Sequence, residues 1–246
     1  MRTLAWDGCR NVRDLGGLPT EDGGVTRFGA VVRADNLRRL TPAGWRALLD
    51  YGVRSAVDLR RPDELAFDPP EPCPIGVVNV SLIGREPAVV EAQNAIISAA
   101  ADPDEGIRAV YLDMLETFSG NFAGVVAAVA RAPSGGVVIH CLVGRDRTGL
   151  VAALLLRVAG VGRAAVAGDW SLSGRNLAAE LEEWVSAPPD QAEREKRLRW
   201  VHGSSPAAME SVLDELEGRY GSAREYLRAA GADEADLELV RGRLRG

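Results

Sequence analysis

The chain has 246 residues, 46% apolar and 26% charged, with a net charge of -6. That balance reads as a globular, soluble fold with a substantial core, and its acidity argues against a nucleic-acid partner. The three cysteines, Cys9, Cys73 and Cys141, are too few and too widely spaced for a disulfide framework or a zinc site.

The opening MRTLAWDGCRNVRDLGG lacks the apolar run of a signal peptide, and no apolar run reaches membrane-spanning length. A reducing, cytoplasmic setting is the default expectation, with export by another route left open. Oligomeric state is not legible.

GGVTRFGAVVRA, from Gly23, combines turn glycines with β-branched residues and reads as a hairpin. Arg13 and Asp14 in NVRDLGG read as turn-stabilising. Thr41-Pro42 starts a helix that runs to about Tyr51, with Thr41 as its cap. RSAVDL from Arg54 is a short buried strand, RRPDE after it a loop, and GVVNVSL near Val77 another strand.

Helices then occupy Glu86 to Arg131, broken at Asp102-Pro103 and Ser119-Gly120. Val137 to Ile139 is a strand, and Thr148 to Ala159 is an apolar, central helix. Ser205-Pro206 starts a further helix, and Ser222 with Glu225 forms a capping box for another. Strands alternating with helices predict an α/β fold, a mainly parallel sheet flanked by helices, as one domain over 1-246. The amphipathic segment 169-203, with the basic run Arg194 to Arg199, reads as a helical lid or a solvated helix face.

In such a sheet ligands collect at the carboxyl ends of the strands. HCLVGRDRTG, residues 140 to 149, sits at one. The turn from strand to helix can aim successive amides inward as an anion nest, next to the positive end of the helix. Gly144 permits backbone angles that other residues avoid. Arg147 supplies a planar, two-pronged donor for phosphate oxygens. The same field favours the thiolate of Cys141, the form that attacks phosphorus. Thr148 can donate its hydroxyl to the sulfur. Asp146 is the candidate general acid, and Asp102, Asp104 and Asp113 are the upstream alternatives. His140 reads as structural support. Substrate contacts fall to Leu142, Val143, Gly144, Arg145 and Gly149, with Arg145 open between a substrate contact and a surface charge.

HCLVGRDRTG resembles the loop of the cysteine-dependent tyrosine phosphatases. It is most similar to the bacterial, lid-bearing tyrosine and dual-specificity type, which includes mycobacterial enzymes and related lipid phosphatases. NVRDLGG, VVRADNLRRL, AVDLRRPDE, GDWSLS and YGSAREYLRAAG match that family in order, so the resemblance spans the chain. It implies a metal-independent hydrolase without cofactor. Cys141 would be the nucleophile, Arg147 the phosphate clamp and Asp146 a general acid inside the loop. Phosphorylated proteins or phosphoinositides would be the substrates. Arg145 stands where the family has lysine. The family's DLR-x-x-x-E pattern implies that Glu64 pairs with Arg145 and positions it. Two rivals remain, a catalytically silent phosphate-binding module and a rhodanese-like sulfurtransferase; Arg147-Thr148 favours phosphate.

Overall fold

Valines and isoleucine crowd the middle strand, β5 (Gly136–His140), and all five of its residues are buried. A strand buried on both faces belongs inside a parallel sheet. The computed structural model, which describes residues 2–69, 73–84, 87–203 and 205–246, places it there. β2 (Val31–Ala34) and β3 (Val53–Asp58) flank it in parallel. β4 (Gly76–Asn79) lies outside β3, and β1 (Arg13–Asp14) closes the other edge antiparallel to β2. The order is β1-β2-β5-β3-β4, a mixed and mostly parallel sheet.

Alternation along β5 divides the core in two. Val137 and Ile139 join the larger cluster, and Val138 joins the smaller one with Trp6, Leu37, Leu40 and Leu48. α1 (Pro42–Asp50) covers the smaller side, with Thr41 Oγ1 accepting from Gly44 N at 3.2 Å. The larger side carries α4 (Pro103–Thr117), α5 (Ser119–Ala130), α6 (Asp146–Val158), α7 (Arg163–Asn176), α10 (Pro206–Tyr220), α11 (Ala223–Ala229) and α12 (Glu234–Arg245). α6 begins two residues before the expected Thr148, and its apolar residues are buried. Ser205 and Ser222 cap α10 and α11 as their sequences predict.

Two local expectations are corrected. RRPDE is not a loop, because α2 (Pro62–Phe67) starts at its proline and Glu64 Oε2 accepts from Arg61 N at 2.8 Å. The Gly23 segment is a tight turn, with Pro19 bridging Val25, whereas Val31–Ala34 pairs with Arg13–Asp14. Arg13 and Asp14 form a fully buried edge strand, and Asp14 stabilises the adjoining turns as expected, accepting from Gly16 N at 2.5 Å and from Gly29 N at 2.7 Å.

α3 (Pro87–Ala99) packs against α4. α8 (Ala178–Ser186) follows α7 after one residue and pairs with α9 (Gln191–His202), which lies against α3 and α4. The basic run on α9 is partly engaged: Arg197 stacks over Trp184 of α8 at 5.0 Å, and Arg199 Nη1 donates to Ala100 O at 2.9 Å. Among the described residues no helix is long and apolar enough to cross a membrane.

Candidate active site

The carboxyl ends of β2, β5 and β3 converge, since Ala34 and Asp58 both align with His140. Residues 141–145 leave β5 there and enter α6. The carbonyls of this loop all point away from its centre. Leu142 O accepts from Asn36 N at 3.2 Å. Val143 O and Gly144 O accept from Asn11 Nδ2 at 3.3 and 3.1 Å. Arg33 Nη2 donates to Gly144 O at 2.8 Å and to Arg145 O at 3.4 Å. In a trans peptide the C=O of one residue and the N–H of the next face opposite ways. Outward carbonyls therefore turn the amides of residues 143 to 146 inward. Gly144 N donates to Cys141 Sγ at 3.2 Å, in line with this. Gly144 has φ +73, and a Cβ there would lie 2.5 Å from Ala34 O, so only glycine fits.

The groups holding those carbonyls form a buried ionic network. Asp169 on α7 accepts from Arg13 Nε at 3.0 Å and from Arg33 Nη1 at 2.9 Å, and also pairs with Arg2. Arg13 Nη1 donates to Asn11 Oδ1 at 2.7 Å, and Asp35 Oδ1 accepts from Asn11 N at 3.0 Å. Burial would raise the Asp169 carboxyl, but Arg13, Arg33 and Arg2 outweigh it and pull it to about 2. Asn11, Arg33 and Asp169 escape sequence reading as site residues. Their one signal is that NVRDLGG, VVRADNLRRL and GDWSLS, the stretches that hold them, all carry the resemblance.

Arg147 corrects an expectation. Glu64 pairs with Arg147, not with Arg145: Nη1 meets Oε2 at 2.5 Å and Nη2 meets Oε1 at 2.8 Å. Nη1 also donates to Leu59 O at 3.4 Å. Among the described residues Nε–H and one Nη2–H bond no partner; they lie side by side on one edge, the fork that suits two oxygens of a phosphate. Burial would lower the Arg147 guanidinium, but its electrostatic interactions with Cys141 and Glu64 and the Glu64 hydrogen bond hold it above its usual value. Glu64 is held below the usual carboxylate range, because Arg147 and Arg61 outweigh its burial.

Arg145 is buried and turns toward the helices above. Its Nε donates to Asp146 Oδ1 at 3.1 Å, its Nη2 to Trp200 O at 2.9 Å, and it lies 5.9 Å from the Trp200 ring. Asp146 Oδ1 also accepts from the Tyr111 hydroxyl at 2.5 Å. Burial and then Asp146 push the Tyr111 phenol up, so it stays a donor. Both anchors grip Oδ1, and Oδ2 bonds none of the described residues. The upstream alternatives are engaged elsewhere: Asp102 caps α4, Asp104 accepts from Ser205, and Asp113 accepts from Thr117.

Thr148 is buried at the start of α6, and its hydroxyl bonds none of the described groups, the sulfur included. Gly149 faces Trp170, where a Cβ would lie 2.5 Å from Cδ1. That close approach lets α6 pack against α7. Leu142 and Val143 stay 42% and 39% exposed on the rim. His140 is buried, as its structural reading expects: burial pulls its ring below the usual value, and Asp58 Oδ2 lies 3.8 Å from Nε2.

A family model described as "Tyrosine phosphatase family" matches residues 4–246. The chain belongs to the tyrosine phosphatase family. As a tyrosine phosphatase it is an enzyme, with relatives of similar length. A tyrosine-protein phosphatase of Nostoc commune is 32% identical over 223 residues, 87% of this chain and 74% of that protein. The triple specificity protein phosphatase PtpB of Mycobacterium tuberculosis is 26% identical over 277 aligned positions, 97% of this chain and 98% of that protein. The mostly parallel sheet with helices on both faces is the fold expected of such a phosphatase.

Proposed function

We propose that this phosphatase hydrolyses protein phosphotyrosine through a cysteinyl-phosphate, within one domain over 1-246. The supporting observation is the loop itself: its carbonyls are bonded outward, Gly144 N donates to Cys141 Sγ at 3.2 Å, and Arg147 stands buried at the start of the helix that follows. Phosphate oxygens bind those donors. Sγ attacks phosphorus, the S–P bond forms and the ester P–O bond breaks. Asp146 gives its proton to the departing phenolate from Oδ2. Water then attacks phosphorus, Asp146 takes its proton, and the S–P bond breaks. Thr148 donates to the leaving sulfur after a rotation of its unbonded hydroxyl.

The amides and Arg147 stabilise the equatorial oxygens as charge shifts, which is where most of the rate arises. No step calls on a metal or cofactor, so chelator leaves turnover intact. The apolar rim of Leu142 and Val143 suits an aromatic ring or the methylene of a phosphoserine or phosphothreonine, and phosphoinositides share the same monoester chemistry. α8 and α9 act as the cover of the site, through the grip of Arg145 on Trp200 O.

Cys141→Ser tests the reading. The variant should bind inorganic phosphate yet turn over no p-nitrophenyl phosphate or phosphotyrosine peptide. Retained turnover overturns the covalent step. Phosphate binding without turnover by the unaltered protein overturns the enzyme.

A further inference from the structure

We infer that Asp169 is a positioning residue for the phosphate loop: its carboxylate fixes Arg13 and Arg33, and through them Asn11, so that the loop carbonyls are drawn outward and the amides are left facing the sulfur. Among the described residues the Asp169 carboxylate bonds Arg2, Arg13 and Arg33 and no atom of the loop. It acts at one remove, since Arg33 spans from Asp169 Oδ2 at 2.9 Å to Gly144 O at 2.8 Å. The second arm runs from Asp169 Oδ1 through Arg13 to Asn11, whose amide reaches Val143 O and Gly144 O.

The inference rests on the loop's being the phosphate site. Chemistry selects these residue types. A carbonyl held outward needs a donor outside the loop, and a buried guanidinium is a donor with a fixed fork. Two buried guanidinium groups side by side repel unless a carboxylate lies between them, and Asp169 supplies it. Ser173 Oγ accepts from Arg13 at 3.0 Å, and Asn176 Nδ2 donates to Asn11 Oδ1 at 3.3 Å. α7 thus presents one complete face to the loop's outer partners, and a neutral residue at 169 would leave Arg13 and Arg33 uncompensated. The peptide planes of 143–146 would then be free to rotate.

Two variants test it in the full-length protein. Asp169→Asn keeps the shape and removes the charge. Asn11→Asp keeps the partner of Arg13 but faces the loop carbonyls with an oxygen in place of a donor. Each should raise KM for p-nitrophenyl phosphate and the inhibition constant of inorganic phosphate together, on the order of 10²-fold for misplaced donors. Asp236→Asn is the control. It breaks a buried carboxylate's pair with Arg131, at 2.9 and 2.7 Å, away from the loop. It should lower the melting temperature and leave both constants alone.

A purely structural Asp169 would behave like that control, with less folded enzyme and unchanged KM and phosphate inhibition, and that result overturns the inference. Should Asp169→Asn fail to fold, Asn11→Asp carries the same test. If the unaltered protein binds phosphate without turning over ester and the variants lose that binding, positioning stands while the enzymatic reading falls.

Discussion

Glu64 takes Arg147 in a double grip, Oε2 on Nη1 at 2.5 Å and Oε1 on Nη2 at 2.8 Å, both groups nearly buried. The grip takes up Nη1 and one side of Nη2 and leaves the Nε–Nη2 edge unbonded among the described residues, and the proposed mechanism uses that edge for phosphate. Glu64→Gln keeps the volume but loses one charged acceptor and puts an N–H against Arg147. A hydrogen bond to a charged group contributes about 1.5–3 kcal/mol. Steady-state kinetics should show kcat/KM down by roughly tenfold or more. An unchanged value would mean that Arg147 holds its place without Glu64.

Asp146 is fixed at Oδ1 by Tyr111 and Arg145. Asp146→Asn should cut kcat by roughly 10²–10⁴, the usual range for a lost general acid. The loss should be larger for phenyl phosphate than for p-nitrophenyl phosphate, because the poorer leaving group needs the proton more. Equal losses for the two esters would remove Asp146 from the acid role. Tyr111→Phe should reproduce a milder version with KM nearly unchanged.

Arg145 bonds Asp146 by Nε and Trp200 O by Nη2 at once, from two nitrogens of a rigid, planar fork that a lysine ammonium does not reproduce. In Arg145→Lys, α9 should lose its tie to the loop. Hydrogen exchange of the amides in Gln191–His202 should quicken while the strands keep their protection. Unaltered exchange in α9 would show that its packing on α3 and α4 suffices.

Asp169 makes acid stability predictable. Its carboxyl, usually near 3.9 and held at about 2 in the fold, adds about 2 kcal/mol above the unfolded value. That contribution is complete above about pH 4 and disappears as pH falls through about 2. Glu64, also depressed, adds to the same acid loss. Urea unfolding from pH 6 to pH 2 should show the decline, and Asp169→Asn should flatten it. An equal slope in the variant would refute the linkage.

Much of the fold could be read from local signals. Thr41-Pro42, Asp102-Pro103, Ser205-Pro206 and Ser222 each mark a helix start that the structure keeps, because caps act within one turn. α2 hid because Arg61-Pro62-Asp63 reads as breakers, and a helix of six residues is held by Glu64's long-range partner. Arg145 and Arg147 are two residues apart at a helix start, so they leave in different directions, one toward Trp200 and one toward Glu64. Spacing could say that a carboxylate meets an arginine there, not which. Asn11, Arg33 and Asp169 reach the loop from distant parts of the chain, and no local pattern encodes that meeting.

The loop's donors face inward only after residues 11, 33 and 36 and α7 have all docked around it. On the proposed reading, phosphate would recognise the finished fold and not its fragments. By mass action, free phosphate at ten times its dissociation constant adds about 1.4 kcal/mol to stability. The ordinary metabolite pool would then act as a chemical chaperone, and a sample stripped of anions should melt at a lower temperature than one in phosphate.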